Sequence, residues 1–388
     1  MLPWFDPSAP EVLADPHPTY DALRATGLAE DPLGVSVFGY RDSEAIFHDT
    51  RLRPGIGVVV EQQGTGASWG VPGRSLTDSD GPSHQRLRRA LSPWFSARRV
   101  GLLQARTRAL VDELLHGRGP GDELEVMAQL ADVVPARLFC WMVGAPDDDA
   151  ELVAELSKDL LLVFAADPRH APVINAARER LQEYVGRLTA TKARRPGDDL
   201  ATALGEAVRA GTLDPGDDAC LLEELVSAAV DNTAGTAALA LKVLAERPDV
   251  WTALRRQPEL LAIALEECGR FEPSIRTITK VTMDPVEVAG VMLDPTTFVT
   301  IRVAAVHRDP AVFAAPHEFR LDRVAEPGQL AFGVGRHYCL GAALGRMEVA
   351  EIVGGVLRRA PEIKLADGAE LDVHGFGVVH RLPVRLVA

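Results

Sequence analysis

The sequence predicts a mainly α-helical protein with small β-sheets attached to it. Long stretches rich in Ala, Leu, Glu and Arg place apolar residues three and four positions apart, and Pro or Gly separates one stretch from the next. Strand-like runs are short and sparse, and they do not alternate with helices in the βαβ rhythm of a doubly wound parallel sheet. No internal repeat or low-complexity tract is visible.

The helical periodicity covers most of the chain. In order, the predicted helices are 17–26, 42–49, 82–94, 97–116, 123–143, 148–164, 171–194, 198–209, 217–246, 248–256, 258–270 and 340–359. The stretch 217–246 is longer than an ordinary globular helix, so it is predicted to cross the whole core as one element.

The strand signals lie mainly in the second half of the chain. The predicted strands are 35–40, 58–61, 277–283, 286–291, 297–301, 362–365 and 382–387. Their shortness predicts several small sheets rather than one large one.

Composition and charge exclude several classes of protein. Hydrophobic residues make up 47% of the chain, which is ample for a large core, and a formal net charge of −14 argues against general nucleic-acid binding. No apolar run approaches the ~18 residues of a membrane span. The first residues, MLPWFDPSAP, lack the basic and apolar regions of a signal peptide, so we expect a cytoplasmic protein without membrane contact.

The four cysteines are far apart and form no CxxC pair. Cys140, Cys220, Cys268 and Cys339 therefore indicate neither a disulfide framework nor a zinc knuckle. Each cysteine has to be interpreted from its own neighbours.

The stretch FGVGRHYC, residues 332–339, joins glycines, a histidine and a cysteine just before a predicted helix. A phosphate loop is a poor match, because the GxGxxG spacing and the Lys-Ser/Thr ending are missing. A buried structural cysteine is the ordinary alternative. However, Gly333, Gly335 and Gly341 would let backbone approach a large flat ligand, and the helix end favours a thiolate at Cys339. A single thiolate without companion ligands suits haem.

FGVGRHYCLG also resembles the haem-ligand signature of the cytochromes P450, F-x-x-G-x-[HR]-x-C-x-G. The matching residues are Phe332, Gly335, His337, Cys339 and Gly341. The resemblance extends over essentially the whole chain and implies a single P450 domain over 1–388. It implies a triangular helical prism with haem b between the long central helix and the helix after the Cys loop. Cys339 would be the iron ligand.

The segment EECGRFEP places Glu267 and Arg270 three residues apart on one helix face. Taken alone, such a pair is commonly a solvated salt bridge that contributes little. Here it resembles the ExxR pair of the P450 family, which joins an arginine from the segment before the haem loop. HEFRLDR offers Arg320 and Arg323 for this third position, and we favour Arg320.

GPSHQRLRRALSPWF resembles the family's H-x-x-x-R segment, with His84 and Arg88 one helical turn apart. The alternative is an ordinary basic helix face. The resemblance implies that both residues, with His337, bind the haem propionates. Lys280 stands where the family usually has a further propionate-binding arginine, and it keeps the charge without the bidentate geometry. The expected cofactor-binding residues are His84, Arg88, Lys280, Phe332, Gly333, His337, Cys339 and Gly341.

SAAVDNTAGTAAL resembles the A-G-x-[DE]-T segment that delivers protons in the family. Asp231 then occupies the acidic position and Asn232 the threonine position. An amide can hydrogen-bond a water but does not relay a proton as a hydroxyl does. Thr233 should point about 100° away, unless a one-residue bulge near Gly235 turns it inward. These three residues are the candidate catalytic residues, and Asn at this position resembles P450s that cross-link aromatic side chains of peptide natural products.

The resemblance also maps a substrate pocket. The loop 54–80, which carries Trp69, is either a lid over the pocket or a plain surface loop. Arg276 would select a carboxylate or a carrier-linked acid if it lies in an apolar pocket, and is otherwise a surface salt-bridge partner. The remaining expected linings are Leu162, Val163, Ser227, Ala228, Ile278 and Val378.

The function implied by the resemblance is a haem-thiolate monooxygenase that oxidises a specialised-metabolite intermediate, small or carrier-bound, with O2. Electrons would come from a ferredoxin and its reductase, which could dock on Arg98, Arg99, Arg336 and Arg346 if these form a basic patch rather than a solvated surface. Two alternatives stay open. One is oxidative coupling of an aromatic or peptide substrate without oxygen insertion, and the other is a non-catalytic haem-thiolate binder.

Overall fold

The computed structural model describes residues 1–55, 75–165, 168–323, 328–372 and 378–388. The predicted strand 58–61 and Trp69 lie outside the described residues. No described helix is both long and apolar enough to cross a membrane.

Helices dominate the structure, as the periodicity predicts. They are α1 (Pro10–Ala14), α2 (His17–Arg24), α3 (Tyr40–His48), α4 (Gly81–Leu91), α5 (Ala97–Leu114), α6 (Val133–Val143), α7 (Ala150–Leu161), α8 (Ala171–Arg194), α9 (Leu200–Arg209), α10 (Asp217–Ala229), α11 (Asp231–Ala245), α12 (Pro248–Arg256), α13 (Leu261–Phe271), α14 (Val303–Val306) and α15 (Ala342–Arg359). The prediction is exact for α8 and α12, where a proline in the first turn and an uninterrupted apolar face mark the helix.

The stretch 123–143 differs from its prediction as one helix. Its first part is a β-strand, Glu123–Glu125, followed by a π-helical turn at Met127–Ala131 and then by α6. The strand pairs with the last strand of the chain, Pro383–Val387. A long-range partner therefore overrides the local helical preference, which sequence periodicity does not show.

The central stretch 217–246 is also not one helix, because it breaks at Val230 between α10 and α11. Side chains bond to carbonyls one turn back at this point: Asn232 Nδ2 donates to Ala228 O at 3.2 Å, and Thr233 Oγ1 donates to Ala229 O at 3.2 Å. Side-chain bonds of this kind bend helices because they compete with the backbone ladder.

The strands form small sheets, as expected from their length. They are β1 (Leu28–Glu30), β2 (Val35–Val37), β3 (Leu52–Pro54), β4 (Glu123–Glu125), β5 (Thr277–Thr282), β6 (Val286–Val288), β7 (Val291–Leu293), β8 (Phe298–Arg302), β9 (Glu362–Leu365), β10 (Glu370–Asp372), β11 (Val378–Arg381) and β12 (Pro383–Val387). The largest sheet has the order β1-β2-β8-β5-β3, in which β2 and β8 are parallel and the other neighbours antiparallel. The order β4-β12-β9 forms a second sheet, and β6-β7 and β10-β11 form two-stranded ones.

The position of α13, α11 and α15 sets the site. α11 packs against both α13 and α15, and its buried face is small and apolar, including Ala237, Ala238 and Leu241. α15 contributes Ile352 and Val353, which are fully buried. α11 and α15 are in contact, and residues of α11 and of the Cys loop 332–341 line the same cavity.

Candidate active site

A cavity of about 1350 Å³ lies between the Cys loop and α11. The side chain of Cys339 is accessible from it. The loop closes on itself through the Cys339 N–H, which donates to Phe332 O at 2.8 Å. Gly333 and Gly335 have φ of 66° and 75°, a left-handed conformation that favours glycine. Gly333 and Gly335 thus turn the backbone beside the cavity.

Opposing effects act on the Cys339 thiol. Burial raises its pKa, while the backbone N–H groups of Gly341 and Ala342 and the charges of Arg88 and Arg346 lower it without outweighing burial. The N–H groups at the start of α15 thus act in the direction that the sequence predicts, towards the thiolate, but burial outweighs them in the protein alone. The thiol would lose its proton on binding a metal cation, because coordination and deprotonation are linked.

Basic side chains surround the cavity beside Cys339. His84, Arg88, Lys280 and His337 all line it, although they come from α4, β5 and the Cys loop. His84 is 3% exposed, and within the described residues its Nε2 has no hydrogen-bond partner. Burial, and then Arg88, lowers the pKa of His84, and burial lowers the pKa of Lys280 to about 8. The predicted propionate-binding residues are thus brought together.

His337 is held by an aspartate that the sequence did not draw attention to. Its Nε2 lies 3.2 Å from Asp80 Oδ1, and Arg336 Nη1 lies 3.1 Å from the same oxygen. Burial, with the nearby charges of Lys280 and His84, lowers the pKa of His337 to about 4. His337 is therefore neutral at pH 7, and Asp80 fixes the orientation of its ring.

These residues fit haem b. A buried nitrogen without a partner, such as His84 Nε2, needs an acceptor, and a propionate carboxylate is one. Arg88 and Lys280 add positive charge for the same groups, and the Cys339 sulfur opens onto the same cavity. The donor set therefore matches a flat cofactor with one thiolate ligand and two carboxylate arms.

A buried ion network supports the loop from behind. Arg270 makes a bidentate pair with Glu267, with Nε to Oε2 at 2.7 Å and Nη2 to Oε1 at 2.8 Å. Arg270 Nη1 also donates to His307 O at 2.9 Å and Pro316 O at 2.8 Å. The side chains of Glu267 and Arg270 are 3% and 4% exposed. The pair is thus a buried junction between α13 and the segment after α14.

The third member of this network is Arg323, so the preference for Arg320 is wrong. Arg323 Nε donates to Glu267 Oε1 at 3.0 Å, and its side chain is 6% exposed. Arg320 contacts the same oxygen through its backbone N–H at 2.8 Å, but its guanidinium turns outward to Asp322. Only the side chain of Arg323 turns towards Glu267, which the spacing of the two arginines does not reveal.

The opposite side of the cavity is formed by α10 and α11. Ala228, Asn232 and Thr233 line it. Thr233 also faces α15, because its Oγ1 lies 3.7 Å from where a Cβ on Gly345 would be. Asn232 and Thr233 therefore both reach the cavity, in different directions.

Comparison with known proteins agrees with this arrangement. The profile of the cytochrome P450 family matches residues 69–360. The chain belongs to the cytochrome P450 family. It is thus a haem b oxidoreductase with the P450 fold.

Two curated relatives and one solved structure are similar over nearly their full lengths. Nocardicin C N-oxygenase of Nocardia uniformis subsp. tsuyamanensis is 33% identical over 99% of this chain and 97% of its own. Luteothin monooxygenase of Streptomyces thioluteus is 30% identical over 100% of this chain and 97% of its own. The solved structure of CxnD, a P450 for C–S bond formation in chuangxinmycin biosynthesis, superposes with a TM-score of 0.89 at 25% identity and covers 100% of this chain and 99% of that one.

Asp231 is not among the described residues that line the P450 cavity. It turns the other way, and burial raises its pKa to about 6, with Asp132 adding to the rise and Lys158 and His380 opposing it. Lys158 forms an ion pair with Asp132. The acidic position of the motif is therefore a half-buried carboxyl behind the helix, and it does not act at the cavity surface directly.

The substrate-lining predictions divide in two. Val163, Ala228, Arg276 and Ile278 line the cavity, whereas Leu162, Ser227 and Val378 are not among its described lining residues. Ser227 is buried and donates to Glu224 O at 3.0 Å. It points away because a neighbouring helical residue is rotated by about 100°.

Arg276 is neither free in an apolar pocket nor at the surface. Its Nη2 lies 2.7 Å from Glu272 Oε2, while its Nε is buried without a partner among the described residues. A second arginine, Arg308, lies 4.0 Å from the same glutamate. Arg308 also lies near the charge of Asp15, so the charges around Arg276 are nearly balanced, and the atom left to bind an acidic group is Arg276 Nε.

Three polar features of the cavity were missed by the sequence reasoning. Glu348 on α15 is fully buried, its Oε2 has no partner in the described chain, and burial raises its pKa to about 8. Glu224 on α10 accepts bonds from the backbone N–H groups of Leu76 and Thr77, both at 2.7 Å. Thr236 on α11 forms a hydrogen bond with Ser274. A charged residue on an otherwise apolar helix face was the available signal for both glutamates.

The arginines suggested as a docking patch differ in their surroundings. Arg98 is exposed, whereas Arg99 lies 2.7 Å from Asp198. Arg346 pairs with Glu266 and stacks on the ring of Phe332 at 4.3 Å. Since Arg336 also has an acidic partner, most of this positive charge is locally compensated.

Proposed function

We propose that this P450 is a monooxygenase that oxidises a specialised-metabolite intermediate, with O2 as oxidant and electrons from a ferredoxin and ferredoxin reductase. The observation that carries the proposal is one continuous cavity that joins the Cys339 loop to Arg276 on the far side of Asn232. Similarity to luteothin monooxygenase and nocardicin C N-oxygenase over nearly the whole chain supports the substrate class.

The chain's residues have separable tasks in this proposal. Cys339 would ligate the iron, and His84, Arg88 and Lys280 would bind the propionates. Bound haem supplies the oxidising chemistry of the family, in which one atom of O2 enters the substrate and the other leaves as water. Val163, Ala228 and Ile278 would hold apolar parts of the substrate away from water.

Arg276 would bind an acidic group of the substrate, either a free carboxylate or the acid end of a carrier-bound intermediate. Its buried Nε donor lacks a partner among the residues described, and a buried donor gains by meeting a carboxylate. Glu272 holds the guanidinium in place through Nη2.

A ligand screen on the haem-loaded protein tests the proposal. Matched carboxylic acids and their methyl esters are titrated while the shift of the haem to high spin is measured. We expect acids to bind about tenfold more tightly than esters, since a charged hydrogen bond contributes roughly 1.5–3 kcal/mol. Arg276→Gln should remove this preference for acids without weakening the binding of the esters. Equal affinities in both proteins would refute the role of Arg276.

A second candidate, oxidative coupling without oxygen insertion, is favoured by Asn232 on the cavity surface and by similarity to CxnD, a P450 for C–S bond formation. Product mass separates the two: a monooxygenase product gains one oxygen atom, and a coupled product loses two hydrogens. A haem-loaded protein that binds ligands but oxidises no reduced pyridine nucleotide in response, with a competent ferredoxin system present, would instead be a non-catalytic binder.

A further inference from the structure

A pair of hydroxyl groups lies on the cavity side of α11, one turn beyond Asn232. Thr236 follows Asn232 by four residues, so it shares the same helix face and lies about 6 Å further along the axis. Thr236 Oγ1 lies 2.6 Å from Ser274 Oγ, and both residues line the cavity. Ser274 belongs to the segment between α13 and β5.

The hydrogen bonds show which hydroxyl of this pair is the donor. Thr236 Oγ1 donates to the Asn232 carbonyl oxygen at 2.7 Å. Because a threonine hydroxyl has a single hydrogen, Ser274 is then the donor to Thr236. Rotation of the Thr236 hydroxyl reverses the order, so the two oxygens can pass a proton in either direction.

We propose that the Thr236–Ser274 pair relays protons in this P450, in place of the hydroxyl that Asn232 lacks. The Asn232 amide cannot both accept and release a proton at one atom, whereas each hydroxyl can. Asn232 keeps a positioning role, since its Nδ2 donates to Ala228 O and its carbonyl oxygen accepts from Thr236. The proposal depends on membership of the P450 family and not on the substrate class proposed above.

Other polar groups near the cavity fit this role less well. Thr233 donates to Ala229 O, as Thr236 does to Asn232 O, but within the described chain it has no second hydroxyl beside it and packs towards Gly345. Asp231 faces Asp132 and Lys158 behind the helix. Glu348 Oε2 has no hydrogen-bond partner among the described residues, so this atom is not bonded to α11. Thr236 and Ser274 combine exposure to the cavity, a hydrogen-bonded partner and the face of Asn232.

The step involves protons alone. Monooxygenation consumes two electrons, two protons and one O2, and yields one inserted oxygen atom and one water. A proton would pass from Thr236 Oγ1 to the oxygen that becomes water, and Ser274 would pass its own proton to Thr236. Ser274 then takes up a proton from the bulk solvent, which supplies the protons that the reaction consumes. No bond to carbon forms, and the electrons come from the ferredoxin system.

The test measures how electrons divide between hydrogen peroxide and water in the haem-loaded protein. A surrogate ferredoxin and reductase are supplied without substrate, so the natural substrate is not needed. We expect Thr236→Val and Ser274→Ala each to raise the ratio of peroxide to water about fivefold or more, because loss of one hydrogen-bonding step slows protonation. Thr236→Ser should restore the original ratio.

A matched control is available on the other side of the cavity. Thr279 and Thr300 also line it, and their hydroxyl oxygens lie 3.3 Å apart on β5 and β8. Thr279→Val should leave the peroxide fraction unchanged. In an Asn232→Thr background, which supplies the usual alcohol, the effect of Thr236→Val should shrink.

A spectroscopic measurement checks the geometry apart from turnover. The C–O stretch of carbon monoxide bound to the reduced protein, recorded in H2O and D2O, should shift in Thr236→Val and stay constant in Thr279→Val. If Thr236→Val and Ser274→Ala match Thr279→Val in peroxide fraction, the relay is refuted, whatever the C–O stretch does. Because two sites are tested, loss of haem in one variant leaves the other decisive.

Discussion

The two sides of the cavity are built in different ways. We call residues 332–341 with His84, Arg88 and Lys280 the cysteine wall, and residues 228–236 the helix wall. Several bonds connect the chain just before the cysteine wall to a buried network. Glu267 accepts bonds from Arg270, Arg320 and Arg323. Arg270 donates to His307 O, and the His307 ring accepts from the Leu330 N–H, two residues before the wall.

The helix wall depends on single bonds. Asn232, Thr233 and Thr236 each donate one hydrogen bond to a backbone carbonyl four residues earlier, around a break at Val230. A cooperative network fails as a unit, whereas independent side chains can be exchanged one by one. We infer that substitutions in the cysteine wall endanger cofactor binding. Single substitutions in the helix wall can change the polar groups at the cavity while the cofactor site is kept.

The largest effect is expected at Cys339. Cys339→Ser removes the thiolate ligand, so turnover should fall to background. The reduced carbon-monoxide complex should lose the red-shifted Soret band typical of thiolate ligation. A variant that kept this band would show that another residue ligates the iron.

The ion network provides a matched pair of variants. Arg323→Ala removes one of the two cations on the buried Glu267 while Arg270 stays in place, so it should destabilise the fold by about 1.5–3 kcal/mol, the range for a hydrogen bond to a charged group. Arg320→Ala removes an exposed guanidinium and keeps the backbone N–H, so its cost should be within about 1 kcal/mol. Urea unfolding of both haem-loaded proteins checks the difference, and equal losses would contradict the assignment of Arg323.

Glu348 is a buried carboxyl on α15, whose Oε2 has no partner among the described residues. Its folded-state pKa of about 8 exceeds the ordinary value of 4.5, so folding takes up a proton between these pH values and stability falls as pH rises. From pH 6 to pH 8, Glu348→Gln should gain about 2 kcal/mol over the parent protein, because glutamine does not ionise. Unfolding at the two pH values measures this, and parallel pH profiles would mean that Glu348 is already ionised.

The smallest effect is expected at Asn232. Asn232→Thr restores an alcohol at the family's usual position, where it adds a second relay to the cavity. We expect the ratio of peroxide to water to fall about fivefold, the effect of roughly one hydrogen bond. The ratio of peroxide formed to pyridine nucleotide consumed measures it. No change would remove position 232 from proton delivery.

Sequence reasoning reached the cysteine wall more fully than the helix wall, for a physical reason. The turn at Gly333 and Gly335 requires glycine, and the ligand requires cysteine, so few sequences can build it. The choice between Arg320 and Arg323 depended on the direction of each side chain, and no local sequence pattern encodes that direction.

The errors elsewhere have similar causes. The break at Val230 arises from side-chain bonds to carbonyls, which leave the apolar periodicity of 217–246 unchanged. The strand Glu123–Glu125 exists because the distant β12 pairs with it. Ser227 and Ala228 were both predicted to line the cavity, and of the two only Ala228 is among its described lining residues. Each outcome depended on direction or on a distant partner rather than on composition.

The break at Val230 also constrains how this enzyme can evolve. Asn232 and Thr233, which both reach the cavity, also bond across the bend, to Ala228 O and Ala229 O. A substitution at Asn232 or Thr233 that alters proton supply therefore also changes the angle between α10 and α11. Proton supply and the shape of the substrate cavity therefore change together. A variant of this helix with altered chemistry should also accept a different range of substrates.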